Sequence, residues 1–300
     1  METRGISVLI AAYNAESFLD LTLTGVQWQT TAAAEVVIVD DCSTDKTYEI
    51  AMAWKNRLPI KVIRNEKNLG LGASRNIGLS QISSPLVAVL DADDLWLPSH
   101  LEMVAATITH DRQIVSPRAA VWMDGKAVSL DGRYSMDAPR PDRQFKEVCR
   151  RNFVFSGALF PLMMVEEVGG YPDARVAEDL VFWLRSISRG FEVVKPAGVS
   201  VLYRRHERGL SRIRGDFFRS VADVVKAELT GVEGKHANEI KKLLRRLKSQ
   251  ERLSSHDEHL DAHLSSAWRN LLPVILAGPA RLKLSALLRV VRPNFKSPYQ

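Results

Sequence analysis

An α/β fold with a mostly parallel central sheet flanked by helices is what this 300-residue sequence predicts. Three observations carry the prediction. Short apolar runs rich in Val and Ile alternate with segments of helical apolar spacing through the first hundred residues, the pattern of a parallel sheet joined by crossover helices. Three of these runs end in polar residues, at Tyr13-Asn14, Asp40-Asp41 and Asp91 to Asp94, and in such sheets ligands bind beyond the carboxyl ends of the strands. From about residue 215 the strand-like runs cease and basic helical segments follow.

Taken in order, "ISVLIAA" at 6–12 is a β-branched apolar run and predicts a buried strand. Phe18, Leu19, Leu21, Leu23 and Val26 then recur at helical spacing within 16–30. "EVVIV" at 35–39 predicts the second strand, and Ser43, Thr44 or Asp45 supplies a cap for a helix over "STDKTYEIAMAW". "IKVIRN" is the third strand, "GLGASRNIGLSQI" a helix entered through glycines, and "LVAVLDADD" the fourth strand with its acids. Residues 110–160 are less regular: "VWMDGKAVSLDG" predicts a hairpin turning at Asp124-Gly125, and "DAPRPDRQF", rich in Pro and charge, reads as a loop. A helix is expected from near Ala177 to Gly190, followed by strands at "FEVVKP" and "VSVLYRRH". Beyond 215, "FFRSVADVVKAEL", "EIKKLLRRLKSQERL", "LDAHLSSAWRNLL" and "ARLKLSALLRVVR" have helical spacing, the last being basic and amphipathic, a form suited to a membrane surface.

Composition bounds the function. With 46% hydrophobic and 25% charged residues the chain can bury a sizeable core, which excludes a disordered class. The net charge of +6 is uneven: residues 201–300 carry 20 Lys and Arg against 10 Asp and Glu. A basic end behind a slightly acidic body points to an anionic partner surface. Two cysteines, Cys42 and Cys149, make neither a disulfide framework nor a Cys-rich zinc site, and fit a reduced, cytoplasmic compartment. The first residues lack a signal-peptide layout. No apolar run reaches the roughly 20 residues of a spanning helix.

Several residues have side chains suited to chemistry. Asp91 and Asp93, two apart just past a strand, can address one divalent cation, and Mg²⁺ or Mn²⁺ in such sites is shared with substrate phosphates. A polar turn with Asp94 as a cap is the plainer alternative. Asp40 and Asp41 can accept hydrogen bonds from a base or ribose, or cap a helix; Tyr13 offers a face for stacking. Arg75 can neutralise a diphosphate or fix an aspartate. Glu178-Asp179 opens a helix, where acids complement the dipole, or where an Asp serves as a general base. Trp183 stands one turn further on, able to line an acceptor site or fill the core. Arg204, His206 and Ser211 cluster in "YRRHERGLSR" with side chains suited to phosphate and metal. The glycines near 70 fit neither a dinucleotide fingerprint nor a phosphate-cradling loop with its lysine.

The ordered set "SVLIAAYNAESFL", "EVVIVDDCSTDKT", "IRNEKNLGLGASRNIGL", "VAVLDADDLWLP", "AEDLVFWLR" and "YRRHERGLS" resembles the family 2 glycosyltransferases, inverting enzymes of the GT-A fold, over residues 5–212. The resemblance implies a catalytic domain over 1–214, with a nucleotide-binding half to about 100, an acceptor-binding half after it and a basic helical extension over 215–300. It implies that Ala11, Tyr13, Asp40 and Asp41 meet the nucleotide, that Arg75 lies near its diphosphate, and that Asp91, Ala92 and Asp93 form the DxD motif. In that motif Asp93 is the principal ligand of Mn²⁺ or Mg²⁺ and Asp91 turns toward ribose or metal. His206 becomes a further ligand, Arg204 and Ser211 diphosphate contacts, and Asp179 the catalytic base with Glu178 beside it. Ala11 stands where many members have Pro, and Ala15 where some have an acid. The implied partners are a UDP-sugar donor and a glycan or lipid-linked acceptor. Contact of residues 280–300 with the cytoplasmic face of a membrane is a further expectation, and nucleic acid is not an expected partner. A phosphohydrolase using Asp91 as nucleophile, and a non-catalytic nucleotide-sugar or nucleic-acid binder, are the rivals; Asp94-Leu95-Trp96 lacks the small hydroxyl residue the former class shows after its aspartates.

Overall fold

The computed structural model describes residues 5–123, 129–130, 132–206, 217–229, 231–232 and 234–261. Its strands are β1 (Ile6–Ala12), β2 (Glu35–Asp40), β3 (Ile60–Arg64), β4 (Leu86–Val89), β5 (Leu95–Trp96), β6 (Gln113–Val115), β7 (Arg118–Met123), β8 (Ser129–Leu130), β9 (Leu159–Pro161), β10 (Glu192–Val194) and β11 (Val199–Arg205). The helices are α1 (Leu19–Gln27), α2 (Thr47–Ala53), α3 (Leu71–Leu79), α4 (His100–Thr107), α5 (Gly132–Ser135), α6 (Pro141–Arg150), α7 (Met163–Val168), α8 (Glu178–Ser188), α9 (Phe217–Leu229) and α10 (Ala237–Asp261).

A seven-stranded sheet runs in the order β10-β6-β9-β4-β1-β2-β3, and all its pairings are parallel except those of β9. The parallel pairing brings the ends of β1, β2 and β4 to one edge, with Ala12 beside Asp40 and Leu9 beside Val89. A second sheet of order β5-β11-β7-β8 lies after the acids and carries Arg204. Strand periodicity divides the core: Val8 and Ile10 join Leu19, Leu23 and Val26 of α1 on one face, whereas Leu9 joins Leu79, Phe145 and Phe182 on the other. Gly78 is where α3 meets the sheet, since a Cβ there would lie 2.2 Å from Leu9 Cδ1.

The predicted strands and helices of the first hundred residues are present, as are α8, β10, β11, α9 and α10. The hairpin is present as antiparallel β7 and β8, pairing Ala120 with Leu130, while its turn at 124–125 lies outside the described residues. The loop expected over 137–145 is corrected in its second half, because a helix starts at Pro141. Proline suits the first turn of a helix, and Gln144, Phe145, Val148 and Cys149 supply a buried stripe. The segments 262–272 and 280–292 lie outside the described residues.

Helices α9 and α10 pack on α8 and α6, and Val221, Val225, Leu229, Ile240, Leu243 and Leu247 are buried in the same cluster as Leu9 and Val37. An Arg185–Glu228 ion pair ties α8 to α9, and Arg246 donates to the carbonyls of Cys149 and Arg150 at the end of α6.

Candidate active site

The sheet edge where β1, β2 and β4 end holds three non-glycine residues with left-handed backbone dihedrals: Asn14 at φ 49°, Cys42 at φ 62°, and Ala177 at φ 60° immediately before Glu178. Such conformations persist where surrounding contacts fix them, and they gather at functional sites. Here the contacts are visible. The Asn14 side chain accepts from the Thr44 N–H at 2.9 Å, its own N–H donates to Ser43 Oγ at 3.0 Å, and Ala15 N–H donates to Thr47 Oγ1 at 2.7 Å. The turns after β1 and β2 are thereby joined.

Asp41 is buried and holds the next loop. Its carboxylate accepts from Asn65 Nδ2, from Leu69 N–H and from Gly70 N–H, each at 2.8 Å. Asp40 is also buried, with Arg64 Nε 3.1 Å from its Oδ2. Tyr13, by contrast, is 51% exposed at the mouth of this edge, and Ala11 is half-buried at the end of β1.

Arg75 ties the donor acids to the helix that bears Asp179. Its side chain is 1% exposed, one terminal nitrogen donates to Asp91 Oδ1 at 2.6 Å and the other to Glu178 Oε1 at 3.1 Å. Burial opposes its charge, but Asp91, Tyr171, Glu178 and Asp179 outweigh it and raise its pKa. Of the two roles open to Arg75 in the sequence, fixing an aspartate is the one the structure displays. The other Asp91 oxygen accepts from Ser156 Oγ at 2.6 Å.

Beyond Asp91 the acids divide. Asp93 Oδ2 lies 2.9 Å from His206 Nε2, and Arg204 Nε donates to the Asp93 carbonyl at 2.9 Å. Burial and the charge of Asp91 push the Asp93 carboxyl up, and His206 opposes the shift. Asp94 is 1% exposed and accepts from the Arg204 backbone N–H at 2.9 Å, so it latches the turn to β11. Burial, with Asp93 and Asp91 adding to it, holds its carboxyl well above the ordinary range. Ala92 is buried, and its carbonyl accepts from Thr22 Oγ1. Arg204 is sandwiched, its guanidinium carbon 3.9 Å from the Trp122 ring centre and 5.1 Å from that of Phe18, which also packs on His206 at 4.4 Å.

Glu178 and Asp179 differ in surroundings although adjacent. Burial, then the neighbouring Asp179 charge, pushes the Glu178 carboxyl up to about 7, against the pull of Arg75. Asp179 is half-buried and accepts from Asn152 Nδ2 at 3.2 Å and from the Leu180 N–H at 2.6 Å. Glu178 is thus the anchored member, and Asp179 the one with a path to solvent. Trp183 is corrected: it is 0% exposed and packs among Phe160 and Phe182, facing the core and no open acceptor surface. Its place on α8 puts it on the inward stripe with Leu180, Val181 and Leu184. Ser211 lies outside the described residues.

The contacts above link Asp91, Arg75 and Glu178 with Asp179 beside it, and Asp93 with Arg204 and His206, while Asp40, Asp41 and the exposed Tyr13 stand at the ends of the neighbouring strands. Sequence reasoning missed Ser156, Asn152, Asn65 and Phe18. They carry no local motif; each is placed by a partner 24 or more positions away in sequence, save where Asn65 also donates to Ser74. Asn76 is another such residue, pairing both ways with the Tyr171 backbone at 2.9 Å and fastening α3 to the loop before α8.

For a divalent cation, the donor chemistry is carboxylate oxygen from Asp93 with imidazole from His206. Both Asp91 oxygens are engaged by Arg75 and Ser156. Among the described residues no three His, Cys, Asp or Glu side chains form a cage of their own. Such a donor set fits a cation completed by substrate oxygens, the usual arrangement for Mg²⁺ at phosphates.

Sheet order, the aspartates at the β4 end and the acidic start of α8 define a glycosyltransferase of the GT-A fold. The fold is similar to that of Staphylococcus aureus TarS residues 1–349 in complex with UDP-GlcNAc, with a TM-score of 0.66 and 21% identity over 93% of this chain and 82% of that one. Residues 7–157 match the family model "Glycosyl transferase family 2", and the chain belongs to that family. It is 28% identical to the amylovoran biosynthesis glycosyltransferase AmsE of Erwinia amylovora, across 74% of this chain and 85% of the relative. It is 30% identical to the UDP-Gal:alpha-D-GlcNAc-diphosphoundecaprenol beta-1,3-galactosyltransferase of Escherichia coli, across 63% of this chain and 70% of the relative.

Proposed function

We propose that the protein is an inverting, metal-dependent transferase that moves a sugar from a UDP-sugar to a hydroxyl of a lipid-linked acceptor in bacterial surface-polysaccharide assembly. The observation that carries the reading is the Asp91–Arg75–Glu178 chain of ion pairs, which holds the donor aspartates and the helix start bearing Asp179 in one rigid frame. Similarity to a UDP-GlcNAc-bound structure and to a galactosyltransferase named for a diphosphoundecaprenol acceptor supports the substrate classes.

In this reading Tyr13 stacks on the base, Asp40 and Asp41 shape the base pocket, and Arg204, with Ser211, faces the diphosphate. Asp93 and His206 would hold Mn²⁺ or Mg²⁺, which supplies positive charge for the leaving diphosphate. Asp179 takes the proton from the acceptor hydroxyl as that oxygen attacks the anomeric carbon from the face opposite the nucleotide. One base suffices for inversion, and Asn152 keeps its carboxylate aimed. Residues 280–300 contact the cytoplasmic face of the membrane; no helix among the described residues is long and apolar enough to cross one.

Calorimetry with UDP in the presence and absence of Mn²⁺, followed by a nucleotide-release panel of UDP-, GDP- and dTDP-sugars, tests the proposal. The expected result is UDP binding that strengthens with Mn²⁺ and turnover confined to UDP-sugars. Binding that ignores Mn²⁺ would overturn the metal assignment, and turnover of GDP-sugars alone would overturn the donor.

A further inference from the structure

Helices α6 and α10 share one strongly cationic surface. Over residues 141–151 and 237–251 the exposed side chains include eight bases and a single acid, Asp142. Lys241, Arg245 and Lys248 stand at i, i+4 and i+7, one stripe along α10, opposite the buried Ile240, Leu243 and Leu247. None of the three makes an ion pair among the described residues, whereas Lys242 is matched by Glu239 and Arg150 by Glu147. A bare stripe of like charge on a well-packed helix weakens that helix, so its presence calls for a counter-charge from outside.

The surface is placed beside the chemistry. Arg246 joins the helices by donating to the carbonyls of Cys149 and Arg150 at the end of α6. Arg151 follows, exposed, and then Asn152, whose amide touches Asp179 at 3.2 Å. The cationic face therefore adjoins the proposed base.

We propose that the α6–α10 face seats on the anionic headgroups of a bilayer and so presents Asp179 to an acceptor anchored in that bilayer. The proposal rests on the lipid-linked acceptor reading, and it is separate from the expected contact of residues 280–300. An area dense in cations and poor in exposed apolar side chains fits a charged lipid surface held electrostatically, without insertion.

The test is sedimentation of the full chain with vesicles of phosphatidylcholine alone and with 30% phosphatidylglycerol, at low and high NaCl. The wild type is expected to partition to the anionic vesicles and to be released by salt. The variant K241Q/R245Q/K248Q is expected to partition roughly a hundredfold more weakly, about fivefold per cation removed. Its hydrolysis of UDP-sugar in solution should be unchanged, which separates loss of docking from loss of fold or of the donor site. Equal partitioning of variant and wild type would overturn the proposal, as would wild-type binding to a DNA fragment with none to anionic vesicles. Vesicle binding needs no acceptor, so failure of the acceptor reading would be seen separately, as binding without transfer.

Discussion

Arg75→Met separates the frame of the site from its chemistry. The guanidinium is buried and is the direct ion-pair partner of both Asp91 and Glu178. Removing one member of a buried ion pair leaves uncompensated charge and costs about 3–5 kcal/mol. The carboxyls escape part of that cost by taking up protons, which gives the loss a pH signature. In the native protein Glu178 titrates at about 7 against an ordinary value of 4.5. The folded state holds a proton that the unfolded state has released, so this group lowers stability as pH rises from 4.5 to 7 and adds nothing further above 7. Without Arg75 the Glu178 carboxyl is pushed higher. The decline then continues above pH 7 at about 1.4 kcal/mol per pH unit until the group ionises. Urea unfolding at pH 6, 7, 8 and 9 reads both effects. The variant should be less stable by several kcal/mol at pH 8 and its curve should diverge from the wild type above pH 7, with Arg75→Lys intermediate. Parallel curves above pH 7, or a loss under about 1 kcal/mol, would refute the bridge.

Two further outcomes follow from other contacts. Buried His100, stacked on Trp96 and bonded to Ser200, has its pKa lowered by burial from 6.5 to about 3; it favours folding fully above 6.5, and protonation of the unfolded chain removes about 2 kcal/mol by pH 5. Urea unfolding at pH 7 and 5 should show His100→Asn losing about 2 kcal/mol less over that interval than the wild type. At Gly72 an added Cβ would stand 2.5 Å from the Pro172 carbonyl and 3.4 Å from Glu178 Cβ, so Gly72→Ala should cost about 1–3 kcal/mol of stability. It should also slow transfer at least tenfold by displacing the start of α8, measured as kcat with UDP affinity determined alongside.

How far the sequence foretold the structure varies along the chain. β1, β2 and β4 are buried on both faces, so their continuous Val and Ile runs announce them, and their shared parallel direction brings the polar ends together. The middle was harder. β5 and β6 have two and three residues, β9 ends in Pro161, and runs so short carry no periodicity of their own. Pro141 and its charged neighbours concealed α6, whose buried side is defined by packing on α8, α10 and β10. At the site, residue types were legible but partners were not. Nothing in "GLGASRNIGL" says that Arg75 reaches Asp91 and Glu178, 16 and 103 positions away. Trp183 had the right helical offset from Asp179 for an acceptor contact, but α8 has an inner stripe as well, and bulk apolar surface drew the indole into the core. Asp94 resolves likewise as the latch on Arg204 and no ligand.

In the proposed mechanism Asp179 is the base of a single displacement on a donor held by the rest of the edge. Asp179→Asn keeps the shape of the side chain and leaves Arg75, Asp91 and Glu178 in place. The decisive measurement is sugar transfer by this variant beside calorimetric UDP affinity. Transfer should fall by about 10²–10⁴-fold, the range for loss of a general base, with UDP affinity within about twofold of the wild type, a shift under about 0.5 kcal/mol. Transfer at the wild-type rate, or a collapse of UDP binding that accounts for the whole loss, would contradict it.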